Sequence, residues 1–194
     1  MFVLTIDQVG SRGGTDGVPA LLEALSDSEL AMVRDFERTA GDEIQGVTAE
    51  PTSVRKVALH LLRDGGWHVG IGVGEAELGA TARAGTGPAY VHARTAVDRA
   101  KSLNRFSPSI AVSGDDSEAA EAAESVLRAT GFLLGQRTEA QWEAIDLQRL
   151  GFSASDIAKV LGISVEAVSQ RRGYGGQVIE ESLWPTIDFL LGRI

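Results

Sequence analysis

Two acidic residues in the first quarter of the chain, Asp7 and Asp42, have the chemistry of metal ligands. Asp7 ends the β-branched apolar run FVLTI, and Asp42 lies in a Gly-Asp turn between two segments typical of strands. Two carboxylates brought to one place repel each other unless a cation lies between them, and Mg²⁺ prefers such oxygen ligands. We therefore predict a magnesium site at Asp7 and Asp42, with the backbone carbonyl of Gln8 as a further ligand.

The same residues also have a purely structural interpretation, which stays open at this point. Aspartate is common at strand ends and in Gly-Asp turns because its side chain bonds to nearby backbone amides. Glu43, which follows the turn, is expected to begin a strand and to face solvent. An ion shared at ~2.1 Å requires the two aspartate carboxylates to lie within about 4–6 Å of each other.

A second set of residues, in SASDIAKVLGISVEAVSQRR at 153–172, has the spacing of a helix-turn-helix. Ile157 falls on the inner face of a first helix, Gly162 permits the tight turn, and Val168 anchors a second helix. Ala158 is small where the two helices cross. The second helix is then the recognition helix, and its predicted DNA-contacting residues are Ser164, Glu166, Ser169, Gln170, Arg171 and Arg172.

The chemistry of those side chains predicts double-stranded DNA as a partner. Glutamine can read adenine, glutamate can accept from cytosine, and arginine suits guanine or phosphate. Residues 153–175 contain three basic and two acidic side chains, a net charge of +1. So small a charge implies few phosphate contacts per monomer, which favours a homodimer. A protein-interaction or dimerisation module built on the same helices is the alternative.

The elements that must position these residues follow from hydrophobic periodicity. Residues 1–134 are predicted to form strand, helix, strand, strand, helix, strand, helix and strand, and residues 135–194 only helices. The first six elements match the split βαβ arrangement of ferredoxin-like sheets, in which the first and third strands are central neighbours. We predict an α+β fold, with a sheet domain over 1–134 and an all-α helix-turn-helix domain over 135–194.

Two further helices flank the helix-turn-helix. The segment EAQWEAIDLQRLGFS is a scaffold helix ahead of it, with Trp142, Ile145 and Leu150 predicted to face inward. The last segment, VIEESLWPTIDFLLGRI, has an apolar face that either covers the core or forms a dimer interface. In the sheet domain, Gly70, Gly72 and Gly74 share one strand face, which admits a closely packed helix or a ligand; helix packing is favoured.

Four segments taken in order resemble a known family. TIDQVGS, TAGDEIQGV, VGIGVGE and GPAYVHAR resemble the SatD family and, more remotely, the class III nucleotidyl cyclases and GGDEF diguanylate cyclases. The resemblance covers about residues 1–115 and implies a palm-like sheet with metal-binding aspartates at Asp7 and Asp42. It also implies Mg²⁺ and a nucleotide as ligands. The segment at 153–172 resembles sigma-factor region four and LuxR-type motifs.

The resemblance implies nucleotide-binding positions, and two of them depart from the cyclase pattern. They are Gln8, Arg38, Tyr90 and Arg94. Arg94 matches the cyclases' helical arginine, which makes it the candidate catalytic residue. Tyr90 stands where those enzymes have asparagine, and Arg38 stands where lysine or glutamate usually reads the purine. An arginine donates hydrogen bonds in a different geometry from a lysine. The metal-binding half of the pattern is therefore intact, and the catalytic half is altered.

These features predict a DNA-binding transcriptional regulator whose cyclase-like domain senses a nucleotide or a metal–nucleotide complex. The alternative is a Mg-dependent nucleotidyl cyclase or transferase. In that enzyme Arg94 stabilises charge developing on the phosphoryl group. The helix-turn-helix then serves only for localisation or dimerisation.

Composition excludes several other classes of protein. The net charge of −9 argues against a surface made for non-specific nucleic-acid binding. No cysteine is present, so disulfides and thiolate metal sites are excluded, and the three histidines have no ligand-like spacing. The first residues do not resemble a signal peptide, and no apolar run approaches the ~20 residues of a membrane helix. A cytoplasmic protein that does not bind membranes is expected.

Overall fold

The computed structural model describes residues 1–10, 14–27, 29–103 and 107–194, which fold into five strands and eight α-helices. The strands are β1 (Phe2–Gln8), β2 (Met32–Ala40), β3 (Glu43–Thr48), β4 (Trp67–Val73) and β5 (Ile110–Ser113). The helices are α1 (Val18–Ser26), α2 (Pro51–Asp64), α3 (Pro88–Ser102), α4 (Ser117–Gly135), α5 (Glu139–Arg149), α6 (Ala154–Leu161), α7 (Val165–Tyr174) and α8 (Gln177–Leu191). The predicted α+β class and the order of the first eight elements are confirmed.

The strands form one mixed sheet in the order β2-β3-β1-β4-β5. β1 is antiparallel to both β3 and β4, so the first and third strands are neighbours as predicted, while β4 and β5 run parallel. Asp7 lies opposite Glu43 on one side and opposite His68 on the other. Because directly opposed residues point to the same face of a sheet, these three side chains are adjacent.

Helices cover both faces of the sheet. On one face, Leu4 and Ile6 of β1 are buried in the main core with residues of α1, α2 and α4. On the other face α3 lies directly on β4, because Gly70 and Gly72 present no side chain to its backbone. Between the two interpretations of these glycines, the structure therefore confirms helix packing. The close contact fixes the side chains of α3 relative to the ends of β1 and β3.

Short polar side chains divide the second half of the chain into separate helices. The side chain of the residue before each of α4, α5, α6 and α7 accepts a hydrogen bond from a backbone N–H in the first turn. Such caps satisfy amides that have no partner within the helix. The four capping residues are Asp116, Thr138, Ser153 and Ser164. None of the helices in the described ranges combines the length and apolarity needed to cross a membrane.

The last helix returns to the sheet. Ile187 and Leu191 of α8 are buried in the main core, so the inner face of this helix covers the core. A separate small cluster joins α5, α6 and α7. Leu150, predicted to face inward, is 75% exposed because it follows the last residue of α5, where the chain turns at Gly151. Ile145 is buried as predicted.

Candidate functional site

The carboxylate of Asp7 already has a cation beside it. Its Oδ2 lies 2.6 Å from Nζ of Lys101, which is in the last turn of α3. The side chain of Asp7 is 17% exposed, so much of this ion pair is shielded from water. The ammonium group of Lys101 thus supplies, at this carboxylate, the positive charge that was predicted to come from a metal ion.

Glu43 is the second carboxylate of this cluster. Its Oε2 accepts a hydrogen bond from Nη1 of Arg94 at 2.8 Å, and its Oε1 accepts one from the Thr39 hydroxyl at 2.7 Å. The expectation that Glu43 faces solvent is wrong, because its side chain is only 15% exposed. The register places it opposite Asp7, under α3.

Asp42 lies at the same end of the sheet. It lines a small cavity of about 270 Å³ with Gln8 and Arg38. Burial lowers the pKa of His68 below its ordinary value, and the opposing effects of the Asp7 and Asp42 charges are smaller. Asp7 itself is not among the residues that line the cavity with Asp42, so the proximity of the two aspartates stays a prediction.

Arg38 and Gln8 bind residues 15–17, directly before α1. Arg38 donates to both carboxylate oxygens of Asp16, at 2.6 and 2.8 Å, and to the carbonyl of Gly41 at 2.7 Å. The Arg38 side chain holds the pKa of Asp16 below its ordinary value. The Gln8 side chain donates to the carbonyl of Thr15 and accepts from the amide of Gly17. Arg38 must leave Asp16 before it can contact a purine.

Tyr90 lies outside this cluster. It packs with Val3 and Val47, and burial raises the pKa of its hydroxyl. That hydroxyl is buried beside Gly85 and has no hydrogen-bond partner among the described residues. The contacts of Tyr90 therefore give no support to its predicted role at the nucleotide. Arg94, one helical turn further, is the residue of the pair that reaches the carboxylates.

The donor set fits a metal ion only in part. Within the described ranges, no group of three or more histidine, cysteine, aspartate or glutamate side chains is arranged to hold a metal. Mg²⁺ is commonly held by one or two carboxylates together with phosphate oxygens and water. A magnesium–nucleotide complex held by Asp7 and Asp42 therefore stays a prediction, and in this structure Lys101 pairs with Asp7.

Sequence reasoning did not identify Lys101 and His68 as members of this cluster. Lys101 lies seven residues after Arg94, which is two helical turns, so both point from the same face of α3. His68 is brought opposite Asp7 only by the β1–β4 register. The helical spacing was a usable signal for Lys101. No local signal was available for His68.

In the second candidate site, α5, α6 and α7 pack around one small buried cluster. Ile157, Ala158 and Val168 are buried together, and Gly162 has a left-handed conformation with φ of 65°. The amide of Ile163 donates to the carbonyl of Ala158 at 3.0 Å, which closes the turn. A β-carbon is disfavoured at that φ, so glycine is well suited to the position.

The predicted DNA-contacting residues of α7 divide into two groups. Gln170, Glu166 and Ser169 are exposed, and Gln170 extends from the middle of the helix. Ser164 is also exposed, but its hydroxyl caps the helix by accepting from the amide of Ala167 at 3.1 Å. The first group therefore presents one glutamine, one glutamate and one serine outward.

Arg171 and Arg172 form the second group, and they face protein. Arg171 contacts Glu143 of α5 at 3.3 Å, and Arg172 donates to the side chain of Gln177 at 2.7 Å. Both are only partly exposed because the last turn of α7 packs between α5 and the start of α8. Arg171 and Arg172, predicted to contact DNA, are thus bound to protein side chains in this structure, and the exposed surface of α7 has less positive charge than expected.

No protein-family model, curated protein or solved structure matches the chain. The likeness to the SatD family and to the cyclases therefore rests on the four segments quoted above. It stays a prediction, as does the likeness of residues 153–172 to sigma-factor and LuxR-type motifs. The functional argument rests on the geometry of the two candidate sites.

Proposed function

We propose that this protein is a DNA-binding transcriptional regulator whose sheet domain senses a magnesium–nucleotide complex. The observation that carries the proposal is the packing of α5, α6 and α7, with Gly162 in the turn and Ala158 at the crossing. In a helix-turn-helix this arrangement holds the second helix against the major groove. That helix is α7, and its exposed row contains Glu166, Ser169 and Gln170.

The base contact is assigned to Gln170. A glutamine amide can bond adenine through both its oxygen and its nitrogen. Because Arg171 and Arg172 are engaged with protein side chains, phosphate contacts are few and the affinity of one monomer for DNA is low. The functional unit is therefore a homodimer that binds two half-sites.

Replacing Gln170 with alanine is expected to weaken specific DNA binding by about 1–3 kcal/mol, the value of a bidentate base contact. Folding is unaffected because the side chain is exposed. The measurement is fluorescence anisotropy on genomic fragments enriched by the wild-type protein, at two salt concentrations. Ser182→Ala, an exposed change on α8, is the control and leaves binding unchanged. If wild type and Gln170→Ala enrich the same DNA fragments equally, or if wild type enriches no fragment, the helices serve protein interaction instead.

The nucleotide site is assigned to the sheet end that contains Asp7 and Asp42. The order and antiparallel pairing of β2, β3, β1 and β4 match the ferredoxin-like arrangement predicted from the order of the elements, which supports this assignment. Bound Mg²⁺ supplies the positive charge that holds the phosphates. The chain's own part is to present the two carboxylates, and to offer Arg94 to a phosphate once Arg94 leaves Glu43.

Asp42→Ala is expected to weaken Mg²⁺-dependent binding of a fluorescent GTP or ATP analogue at least tenfold, because one of two carboxylate ligands is lost. DNA binding without nucleotide stays as in wild type. Asp35→Ala removes an equal charge from an exposed position of β2 and serves as the control. Equal nucleotide affinity in Asp42→Ala and wild type contradicts the site.

The same samples test the enzyme alternative. Each variant is incubated with ATP or GTP and Mg²⁺, and pyrophosphate is measured. If the protein is a regulator without catalytic activity, it releases no pyrophosphate above background. Release by wild type that stops in Asp42→Ala identifies the protein as a nucleotidyl cyclase or transferase.

A further inference from the structure

A second cavity of about 490 Å³ lies beside the Asp7–Lys101 pair, at the end of the sheet where β4 begins. Its walls come from α2, α3 and α4 and from the segment before β5. Cavities of 300–1,000 Å³ are the usual size of small-molecule sites. The proposed functions leave this cavity unused.

The lining is apolar with one polar corner. Leu61, Trp67 and Phe132 contribute apolar surface, whereas Lys101 is the single cation among the described lining residues. None of those lining residues is acidic, although the chain as a whole has a net charge of −9. An apolar cavity that lacks carboxylates and contains an ammonium group favours an anionic guest over a cationic one.

His68 gives the polar corner a defined hydrogen-bonding pattern. The Ser109 hydroxyl donates its only proton to the carbonyl of Ala100 at 3.1 Å, so it accepts from Nδ1 of His68 at 2.6 Å. Nδ1 therefore carries the proton, and Nε2 is left as an acceptor. The fixed positive charge of this corner comes from Lys101.

Lys101 belongs to two sites at once. It lines the cavity, and its Nζ also pairs with Asp7 at 2.6 Å. An ammonium group on a flexible four-carbon chain can move between anions on either side of it. An anion in the cavity can therefore bind together with a metal ion at Asp7. The anion pairs with Lys101, which otherwise occupies Asp7 and excludes the metal ion.

We propose that this cavity binds a small apolar molecule with one anionic group, and that the anion draws Lys101 away from Asp7. The freed carboxylate then accepts Mg²⁺ and its nucleotide, so each ligand strengthens the binding of the other by the same factor. This second step rests on the proposed nucleotide site. The first step, binding in the cavity, does not.

The probes are 2-naphthoate, which has an apolar body and one carboxylate, and the uncharged 2-naphthalenemethanol. Calorimetry is expected to show saturable binding of 2-naphthoate to the full-length protein, with the alcohol about tenfold weaker. Lys101→Met keeps the length of the side chain and removes its charge. In this variant the affinity for 2-naphthoate is expected to fall to that for the alcohol. Equal binding of the two probes to wild type, or no saturable binding of either, overturns the proposal.

Two phenylalanine variants locate the probe. Phe132 lines the cavity and is 59% exposed, so Phe132→Ser removes apolar contact without opening the core. This substitution is expected to lower the affinity for 2-naphthoate about tenfold. Phe189→Ser, at a residue of α8 that is 64% exposed and outside the cavity, leaves the affinity unchanged. Equal weakening by both variants places the probe elsewhere and overturns the proposal.

The coupling is read from Mg²⁺-dependent binding of the fluorescent nucleotide. Saturating 2-naphthoate is expected to raise the nucleotide affinity of wild type about tenfold. The Lys101→Met substitution is expected to raise this affinity by the same factor without the probe. In Lys101→Met the probe then has no further effect. Unchanged nucleotide affinity in both cases overturns the coupling. A third outcome is that the probe binds in the cavity as expected but no variant binds nucleotide. That result overturns the proposed nucleotide function and leaves the cavity as a ligand site.

Discussion

Replacing Glu180 with alanine is expected to lower the free energy of unfolding by about 3–5 kcal/mol, the cost of leaving a buried charge without its partner. Glu180 is 2% exposed, and its Oε2 lies 2.8 Å from Nη1 of Arg137 and 2.7 Å from Nη2 of Arg149. Arg137 is equally buried, so its guanidinium cannot recover hydration once the carboxylate is gone. Urea unfolding followed by circular dichroism measures the difference.

A neighbouring glutamate provides the matched control. Glu181→Ala removes the same group from a partly exposed position 3.8 Å from Arg149, and it is expected to cost less than about 1 kcal/mol. The double variant Arg137→Met with Glu180→Leu is expected to recover most of the loss, because apolar side chains of similar volume often replace a buried ion pair without penalty. Equal losses for Glu180→Ala and Glu181→Ala contradict the assignment.

Gly72→Ala is expected to lower the free energy of unfolding by about 3 kcal/mol, the upper end of the usual cost of overpacking. A β-carbon at Gly72 falls 2.7 Å from Cα of Ala93 and closer still to the backbone of Ala89. These atoms belong to the backbone of α3, so no side-chain rotation relieves the contact. The whole helix must move away from β4. Thermal and urea unfolding both measure the change.

Gly173→Ala tests whether the loss is specific to that contact. A β-carbon at Gly173, in the last turn of α7, meets no described atom within 4 Å, and alanine favours helix by about 1 kcal/mol. This variant is therefore expected to be as stable as wild type or slightly more stable. A Gly72→Ala protein that unfolds within about 1 kcal/mol of wild type shows that α3 can shift at little cost.

The elements of this fold were predictable because their signals are local. Pro51 opens α2, and Gly65, with φ of 73°, closes it. Ser153 and Ser164 cap α6 and α7, as short polar residues commonly do. The pairing of β1 with β3 followed from the order of the elements. The helix boundaries lay within a few residues of their signals, and the strand pairing needed only the sequence of element types.

The side-chain partners were not predictable in the same way. Glu43 was expected to face solvent at the start of a strand, yet the register places it opposite Asp7 and beneath Arg94. Arg171 was expected outside because basic residues near the end of a recognition helix commonly meet DNA, yet α5 approaches it closely enough for Glu143 to bind it. Each contact joins elements distant in the chain, so neither periodicity nor composition indicates it.

The return of α8 to the sheet has a consequence for the order in which the molecule assembles. During synthesis the residues of α5, α6 and α7 emerge before Ile187 and Leu191, which complete the core beneath α2 and α4. The three-helix unit can therefore form while one side of the sheet domain still exposes apolar surface. Until α8 emerges, that surface is open to chaperones and to other nascent chains. Docking of α8, rather than completion of the sheet, is the step that covers this side of the core.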